Sequence, residues 1–204
     1  MRINKKKFIY LISPNEIYPQ FYQDLKKILK TGKVGLFQLR LKKYSLRQKI
    51  LIGKKIQRIC KKNGVKFLVN DDPILSKKLD ADGCHLGQKD MAIKNARQII
   101  GNKIIGITCH NSIKLAKTAI KEKASYIAFG AFFSTKTKKV KFRATTKILN
   151  KAKKLTKTPI VAIGGINFNN YKKLLLNNAN LLAISGYIWN NKKYKPLETI
   201  EKLK

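Results

Sequence analysis

Short apolar runs alternate along the chain with longer amphipathic stretches. The runs are rich in Ile, Val, Phe and Leu, and this composition favours β-strands. Roughly 20–30 residues separate most of them, which leaves room for a helix after each strand. Eight runs are predicted as strands: Phe8–Ile12, Val34–Leu39, Phe67–Val69, Gly83–His85, Ile104–Thr108, Tyr126–Phe129, Ile160–Ala162 and Leu182–Ile184.

The stretches between the runs carry apolar residues at helical spacing. The predicted helix Ser45–Asn63 opens with Ser45, a good N-cap residue, and closes near Gly64. The alternating order predicts a (β/α)8 TIM barrel that forms a single domain over residues 1–204, and a doubly wound open sheet is the alternative. The other predicted helices are Ser112–Lys123, Thr145–Leu155, Asn167–Asn177 and Pro196–Leu203.

From Val34 onward, nearly every predicted strand is followed at once by a polar or charged cluster. In a parallel barrel the residues after the strands face one cavity, so these distant clusters become neighbours. Asp71 and Asp90 are strand-end carboxylates in a chain with only ten acidic residues, and hard oxygen ligands suit Mg²⁺. Either residue could instead cap a helix, and Asp71-Asp72-Pro73 is a plausible helix start. Placed together beside basic residues, the two carboxylates predict a magnesium site.

Cations and glycines at the same rim indicate phosphorylated substrates. Arg40, Lys42 and Lys138 come from different strands, and a diphosphate carries more charge than one Mg²⁺ neutralises. Gly164-Gly165 and Ser185-Gly186 follow the last two strands, where this fold frequently binds phosphate through backbone N–H groups. The predicted partners are therefore small phosphorylated molecules.

The formal net charge of +36 does not by itself indicate nucleic-acid binding. Only six of the 46 basic residues are Arg, and the lysines are spread over almost every predicted helix. Nucleic-acid readers favour Arg and a concentrated patch. A compositional bias toward Lys, Asn and Ile explains the charge, and general attraction of anions is the alternative. We expect no nucleic-acid partner, and a catalytically silent nucleic-acid-binding barrel is the competing hypothesis from another class.

Signals for a membrane protein or a disulfide framework are absent from the sequence. No apolar stretch approaches the roughly 20 residues that cross a bilayer, so we expect a cytoplasmic protein without a membrane partner. Cys60, Cys84 and Cys109 lack metal-site spacing, and we expect reduced, mostly buried thiols. No Ser-His-Asp order, HExxH motif or Walker A motif is present. The sequence does not indicate an oligomeric state.

Five segments of the chain carry motifs in a fixed order and spacing. They are Gln38–Lys42, Asn70-Asp71, Asp82–Asp90 with its DGxHLGQxD motif, Gly130–Lys138 with its TxTK motif, and Ala162–Ile166. In order and in spacing, from about Gln38 to Trp189, the chain resembles the thiamine phosphate synthase family. This resemblance implies a TIM barrel that joins hydroxymethylpyrimidine diphosphate to a thiazole ethyl phosphate, giving thiamine phosphate and pyrophosphate.

The resemblance also implies a role for each matching residue. Asp71 and Asp90 would hold Mg²⁺. The catalytic cations would be Arg40, Lys42 and Lys138, which stabilise charge on the leaving pyrophosphate so that no general base is needed. The pyrimidine diphosphate would contact Gln38, Arg40, Lys42, Asn70, Thr108 and Lys138. The thiazole phosphate would contact Thr135, Lys136, Thr137, Gly165, Ser185 and Gly186.

The chain departs from the family pattern in three places. Thr108 stands where the family usually has Ser, and Ser134 and Lys136 stand where Pro or small residues are common. Ser185-Gly186 aligns with the family's serine only after a one-residue deletion. A thiazole tautomerase relative is the alternative within the family, because His110 lies where such an enzyme could carry its acid-base histidine. The retained diphosphate residues favour the synthase.

Overall fold

The eight strands of the protein close into one parallel barrel in the computed structural model, which describes residues 6–135 and 142–204. Each strand pairs with its neighbour in chain order, and β8 pairs with β1. The predicted TIM barrel is confirmed, and each predicted strand end lies within two residues of the observed one. The strands are β1 Ile9–Ile12, β2 Val34–Leu39, β3 Lys66–Asn70, β4 Gly83–Leu86, β5 Ile104–His110, β6 Tyr126–Gly130, β7 Ile160–Ile163 and β8 Leu181–Ile184.

Helices connect the strands and cover the outside of the barrel. Helix α2 begins after Ser45 because two reciprocal hydrogen bonds cap its first turn. The Ser45 side chain accepts from the Gln48 backbone N–H, and the Gln48 side chain accepts from the Ser45 backbone N–H. Helix α1 is absent from the predicted helices, although Phe21, Leu25 and Ile28 are buried at helical spacing. The helices are α1 Phe21–Lys30, α2 Leu46–Lys62, α3 Pro73–Lys78, α4 Ile93–Ile100, α5 Ile113–Lys121, α6 Thr146–Leu155, α7 Tyr171–Leu176, α8 Gly186–Trp189 and α9 Pro196–Glu201.

Each strand divides its side chains between two buried layers, because successive residues point to opposite faces. The outer layer, with Phe37, Phe67 and Phe129, packs under the helices. The inner layer fills the barrel and includes Tyr10 and Tyr126. Gln38 and His85 are also buried, so the inside of the barrel is partly polar. The rim at the carboxyl ends of the strands therefore lies on a filled interior and not on an open pore.

The three cysteines agree with the expectation from the sequence. Cys60, Cys84 and Cys109 are free and buried, as predicted. Within residues 6–135 and 142–204, none of the helices combines the length and the apolar character required to cross a bilayer.

Candidate active site

Asp71 and Asp90 meet at the carboxyl ends of β3 and β4. Asp71 follows β3 directly, and Asp90 lies in the turn after β4, where its carboxylate accepts a 2.7 Å hydrogen bond from the Gly87 backbone N–H. Their carboxyl groups lie within hydrogen-bonding reach of each other. Burial raises the pKa of the Asp71 carboxyl and the Asp90 carboxylate raises it further, whereas Lys42 and Asn70 lower it. Two crowded carboxylates favour a cation between them.

The backbone conformation shows that Asp72, and not Asp71, caps helix α3. The Asp72 carboxylate caps α3, since it accepts from the Leu75 backbone N–H at 2.8 Å. Asp71 stays outside the helix with a φ of 63°, and its backbone N–H donates to the His85 carbonyl at 2.8 Å. A non-glycine residue in this left-handed region is uncommon, and such residues cluster at functional sites. The helix-start pattern in the sequence therefore reflects Asp72. The Asp71 carboxylate interacts instead with Asp90 and Lys42.

The carboxylate pair has the donor set that Mg²⁺ uses. In the described ranges, no cluster of three or more His, Cys, Asp and Glu side chains is arranged to hold a metal ion. Mg²⁺ typically takes only one or two protein carboxylates and completes its octahedral shell with water and substrate phosphate. Asp71 and Asp90 therefore fit this ion, and the magnesium site stays a prediction.

Two cations follow β2 at the same rim, and one of them, Lys42, contacts the carboxylate pair. Lys42 Nζ lies 3.5 Å from the Asp71 carboxylate. The Arg40 backbone N–H donates to Ser13 Oγ at 2.9 Å, and its guanidinium donates to Asn15 Oδ1, also at 2.9 Å. Ser13 and Asn15 follow β1 and are absent from the predicted site. Their only signal in the sequence is a position just after a strand.

A cavity of about 320 Å³ opens beside Lys42 and Asp71. Its wall includes Lys49 from the first turn of α2 and Asn70 from the end of β3. Because lysines are so frequent in this sequence, composition alone gives no reason to single out Lys49. Its position adds a second basic side chain, besides Lys42, to the cavity wall that includes Asp71.

The polar residues predicted for the pyrimidine substrate lie on neighbouring strands of the same rim. Gln38 Nε2 donates to Asn70 Oδ1 at 2.5 Å. Thr108 Oγ1 lies 2.8 Å from His85 Nε2, and the Gln88 side chain donates to the Thr108 carbonyl at 2.6 Å. The structure therefore brings Gln38 of β2 and Asn70 of β3 into contact, and it places Thr108 on β5, in contact with His85 of β4.

The turn after β7 packs closely against the segment after β6. Gly164 and Gly165 have φ values of 104° and 66°, a region that glycine occupies without strain. A Cβ atom on Gly165 would lie 2.3 Å from the Ser134 carbonyl oxygen. The Phe133 backbone N–H also donates to the Gly164 carbonyl at 3.0 Å. Packing thus requires both glycines, and a phosphate contact by Gly165 stays a prediction.

Ser185 and Gly186 lie between β8 and α8, beside the end of β1. The Ser185 hydroxyl donates to the Ser13 carbonyl at 3.1 Å. Ser13 therefore connects two parts of the rim, since its own hydroxyl accepts from Arg40. The predicted thiazole-phosphate contacts of Ser185 and Gly186 remain predictions.

Three predicted residues, Lys136, Thr137 and Lys138, lie outside the described residues, and Thr135 is the last residue before that gap. His110 is at the end of β5 with a φ of 51°, and its ring centroid lies 4.5 Å from that of Phe142. The histidine of the tautomerase alternative is therefore at the rim and packs against an aromatic ring.

The sequence is similar to a known protein family and to proteins of known name. The family model described as thiamine monophosphate synthase (TMP-TENI) matches residues 9–188. The chain belongs to this family. Thiamine-phosphate synthase of Pelagibacter ubique (strain HTCC1062) is 65% identical over 207 residues that cover 100% of both chains. Thiamine-phosphate synthase of Erythrobacter litoralis (strain HTCC2594) is 40% identical over 187 residues, which cover 89% of this chain and 88% of the relative.

Solved structures agree with the family assignment. Thiamine phosphate pyrophosphorylase from Pyrococcus furiosus has a TM-score of 0.85 and 28% identity, covering 98% of this chain and 95% of its own. A 3-hexulose-6-phosphate synthase with a TM-score of 0.66 and 13% identity shares the barrel fold alone. The predicted family is thus confirmed, together with the prediction of a transferase of thiamine biosynthesis.

Proposed function

We propose that the chain is a Mg²⁺-dependent thiamine phosphate synthase. It would condense hydroxymethylpyrimidine diphosphate with thiazole ethyl phosphate to thiamine phosphate and pyrophosphate. The observation that carries the proposal is the meeting of Asp71 and Asp90 beside Lys42. A diphosphate bound near two carboxylates needs a cation between the anionic groups, and the lysine supplies further positive charge. The relative from Pelagibacter ubique, which is named as this synthase and matches over the whole of both chains, supports the same reaction.

Lys42 and Arg40 stabilise the leaving group in this proposal. As the C–O bond to the diphosphate breaks, both electrons leave with the oxygen, and the two cations lower the energy of the growing negative charge. Arg40 offers a planar fork and Lys42 a point charge. Mg²⁺ bound by Asp71 and Asp90 would supply Lewis-acid stabilisation of the phosphate oxygens. The pyrimidine-stabilised cation is captured by the thiazole nitrogen, so no side chain has to accept a proton.

The two substrates occupy different parts of the rim. Gln38, Asn70 and Thr108 contact the pyrimidine diphosphate, next to the carboxylate pair. The thiazole phosphate contacts the backbone of Gly165 and the turn formed by Ser185 and Gly186. In this proposal the thiazole ring approaches from the β7–β8 side of the rim, and the diphosphate lies on the side of β2, β3 and β4.

Formation of thiamine phosphate and pyrophosphate from the two purified substrates, with and without Mg²⁺, tests the proposal. We expect product only with Mg²⁺ and a loss of about 10²–10³-fold in kcat for Asp90→Asn. Asp80→Asn is the matched control, because Asp80 is an exposed aspartate that pairs with Lys103 away from the rim. Normal turnover by Asp90→Asn would reject the proposed site and favour the tautomerase or another reaction.

A further inference from the structure

A continuous row of hydrogen-bonded side chains crosses the barrel interior and joins six strands. The hydroxyl oxygens of Tyr10 and Tyr126 are 2.8 Å apart. The Tyr126 hydroxyl also lies 2.8 Å from His85 Nδ1, and the Tyr10 hydroxyl contacts Gln38 Oε1. The outer links are the Asn70–Gln38 and His85–Thr108 contacts of the rim. The members of this interior row, in order, are Asn70, Gln38, Tyr10, Tyr126, His85 and Thr108.

The side-chain amide of Gln38 sets the direction of the first links in the interior row. Its Nε2 donates to Asn70 Oδ1, and its Oε1 accepts the proton of the Tyr10 hydroxyl. An amide nitrogen can only donate and an amide oxygen can only accept, so these two links run in one direction, from Tyr10 through Gln38 to Asn70.

The remaining links follow because each hydroxyl carries one proton. Burial raises the pKa of Tyr10 and of Tyr126 above the ordinary range, so both phenols are protonated. Because the Tyr10 hydroxyl donates its proton to Gln38 Oε1, its oxygen must accept the hydrogen bond from the Tyr126 hydroxyl. The Tyr126 oxygen in turn accepts from His85 Nδ1–H. A neutral imidazole protonated at Nδ1 accepts at Nε2, and the group that donates there is the Thr108 hydroxyl.

The strand next to Tyr126 leaves room for its ring in the barrel interior. Gly106 is the cross-strand partner of Tyr126, and a Cβ atom on Gly106 would lie 1.8 Å from Tyr126 Cζ. Tyr10 and Tyr126 are 1% and 0% exposed. A buried hydroxyl that loses its partner leaves an unpaired polar atom, which is costly. The phenols therefore transmit a fixed donor and acceptor order between the two ends.

We propose that Tyr10, Tyr126 and His85 are positioning residues that orient both ends of the pyrimidine site through one unidirectional hydrogen-bond row. The inference rests on the proposed function. One end fixes the Asn70 and Gln38 amides beside the carboxylate pair. The other end turns the Thr108 proton inward, so that its lone pairs accept from the substrate. The row therefore selects a pyrimidine that carries an amino donor.

Removal of single hydroxyls tests the row by steady-state kinetics. We expect Tyr10→Phe and Tyr126→Phe each to lower kcat/KM for the pyrimidine diphosphate about tenfold, while KM for the thiazole phosphate stays within about twofold. Tyr171→Phe is the matched control and should leave both constants unchanged. Tyr171 is equally buried, but it lies in the outer layer and its hydroxyl contacts the Lys204 carbonyl.

The double variant distinguishes a connected row from two separate packing defects. Once the row is cut, removal of the second hydroxyl should add little, so the double variant should resemble the more damaged single variant. Losses that multiply in the double variant would overturn the proposal. Wild-type constants in both single variants would overturn it as well.

Nitrogen NMR of the histidines gives a readout that does not depend on turnover. The chain has two histidines, His85 and His110, so assignment is simple. We expect a neutral His85 with its proton on Nδ1, and loss of that preference in Tyr126→Phe. A proton on Nε2 alone, or on both nitrogens, would overturn the row. A wild-type protein with the expected tautomer but without synthase activity would instead reject the proposed function.

Discussion

The ends of β2–β5 and the ends of β6–β8 differ in the chemistry they offer to a phosphorylated substrate. The first, the charged half, presents side chains such as Lys42, Asp71 and Asp90. The second, the glycine half, presents backbone at Gly164-Gly165 and Ser185-Gly186. Charge acts over several ångströms, whereas backbone N–H groups must approach closely. Removal of a charge should therefore impair substrate binding and turnover at the charged half. Addition of an atom to a glycine should impair substrate binding at the glycine half.

The largest effect is expected from Asp71→Asn in the charged half. This change should lower kcat about 10²–10³-fold, because it removes one of two proposed metal ligands while keeping the size of the side chain. Asp72→Asn is a matched control one residue away, since asparagine caps a helix as well as aspartate does. Turnover with saturating Mg²⁺ measures both. Equal losses in the two variants would mean that the charged half is not defined by the Asp71 carboxylate.

Gly165→Ala should damage the glycine half and spare the charged half. The new Cβ would meet the Ser134 carbonyl at 2.3 Å at a positive φ, so we expect a loss of about 1–3 kcal/mol in unfolding free energy. KM for the thiazole phosphate should rise about tenfold while KM for the pyrimidine diphosphate changes little. Gly32→Ala controls for φ, because Gly32 has a φ of 70° and no atom within 4 Å of its Cβ position. An equal rise of both KM values would remove the distinction between the halves.

The pH dependence of Mg²⁺ stabilisation should sharpen the picture of the charged half. The pKa of Asp71 is raised, so its contribution to stability is present below the unfolded pKa and is lost as pH rises through the folded pKa. At high pH, bound Mg²⁺ would relieve the repulsion between the Asp71 and Asp90 carboxylates. At low pH, protons would compete with Mg²⁺ for these carboxylates. The rise in Tm on adding Mg²⁺ should therefore be larger at about pH 7 than at about pH 5. Scanning calorimetry measures it, and Asp71→Asn should abolish the difference.

The smallest effect is expected from Lys49→Gln. Lys49 lines the cavity beside Asp71, but water screens a partly exposed cation. We expect KM for the diphosphate to rise about twofold at low salt and to return toward the wild-type value at high salt. Lys54→Gln, on the exposed side of the same helix, should have no effect. A salt-independent change at Lys49 would argue for a direct contact instead.

The barrel and the charged half could be predicted from sequence because each leaves a local signal. Apolar runs mark the strands, and Asp71 follows one of them in a chain with few acids. Asp72 shows the limit of such signals: two adjacent aspartates read alike, and only the backbone reveals that one caps α3 while the other meets Asp90.

The interior row could not be predicted because its members read as ordinary strand residues. Tyr10 and Tyr126 are typical β-formers, and their hydroxyl groups meet across a separation of 116 residues. Periodicity indicates which face a residue takes, but not which distant side chain it touches. Ser13 could not be predicted for the same reason, since its partner Arg40 follows the next strand, β2.

The contact between Gly106 and Tyr126 has an evolutionary consequence. The ring occupies the volume that any larger residue at position 106 would need, so the two sites cannot vary independently. Among relatives, a side chain at 106 should appear only together with a smaller residue at 126. The two positions should therefore form a correlated pair in a deep alignment, whatever reaction those relatives catalyse.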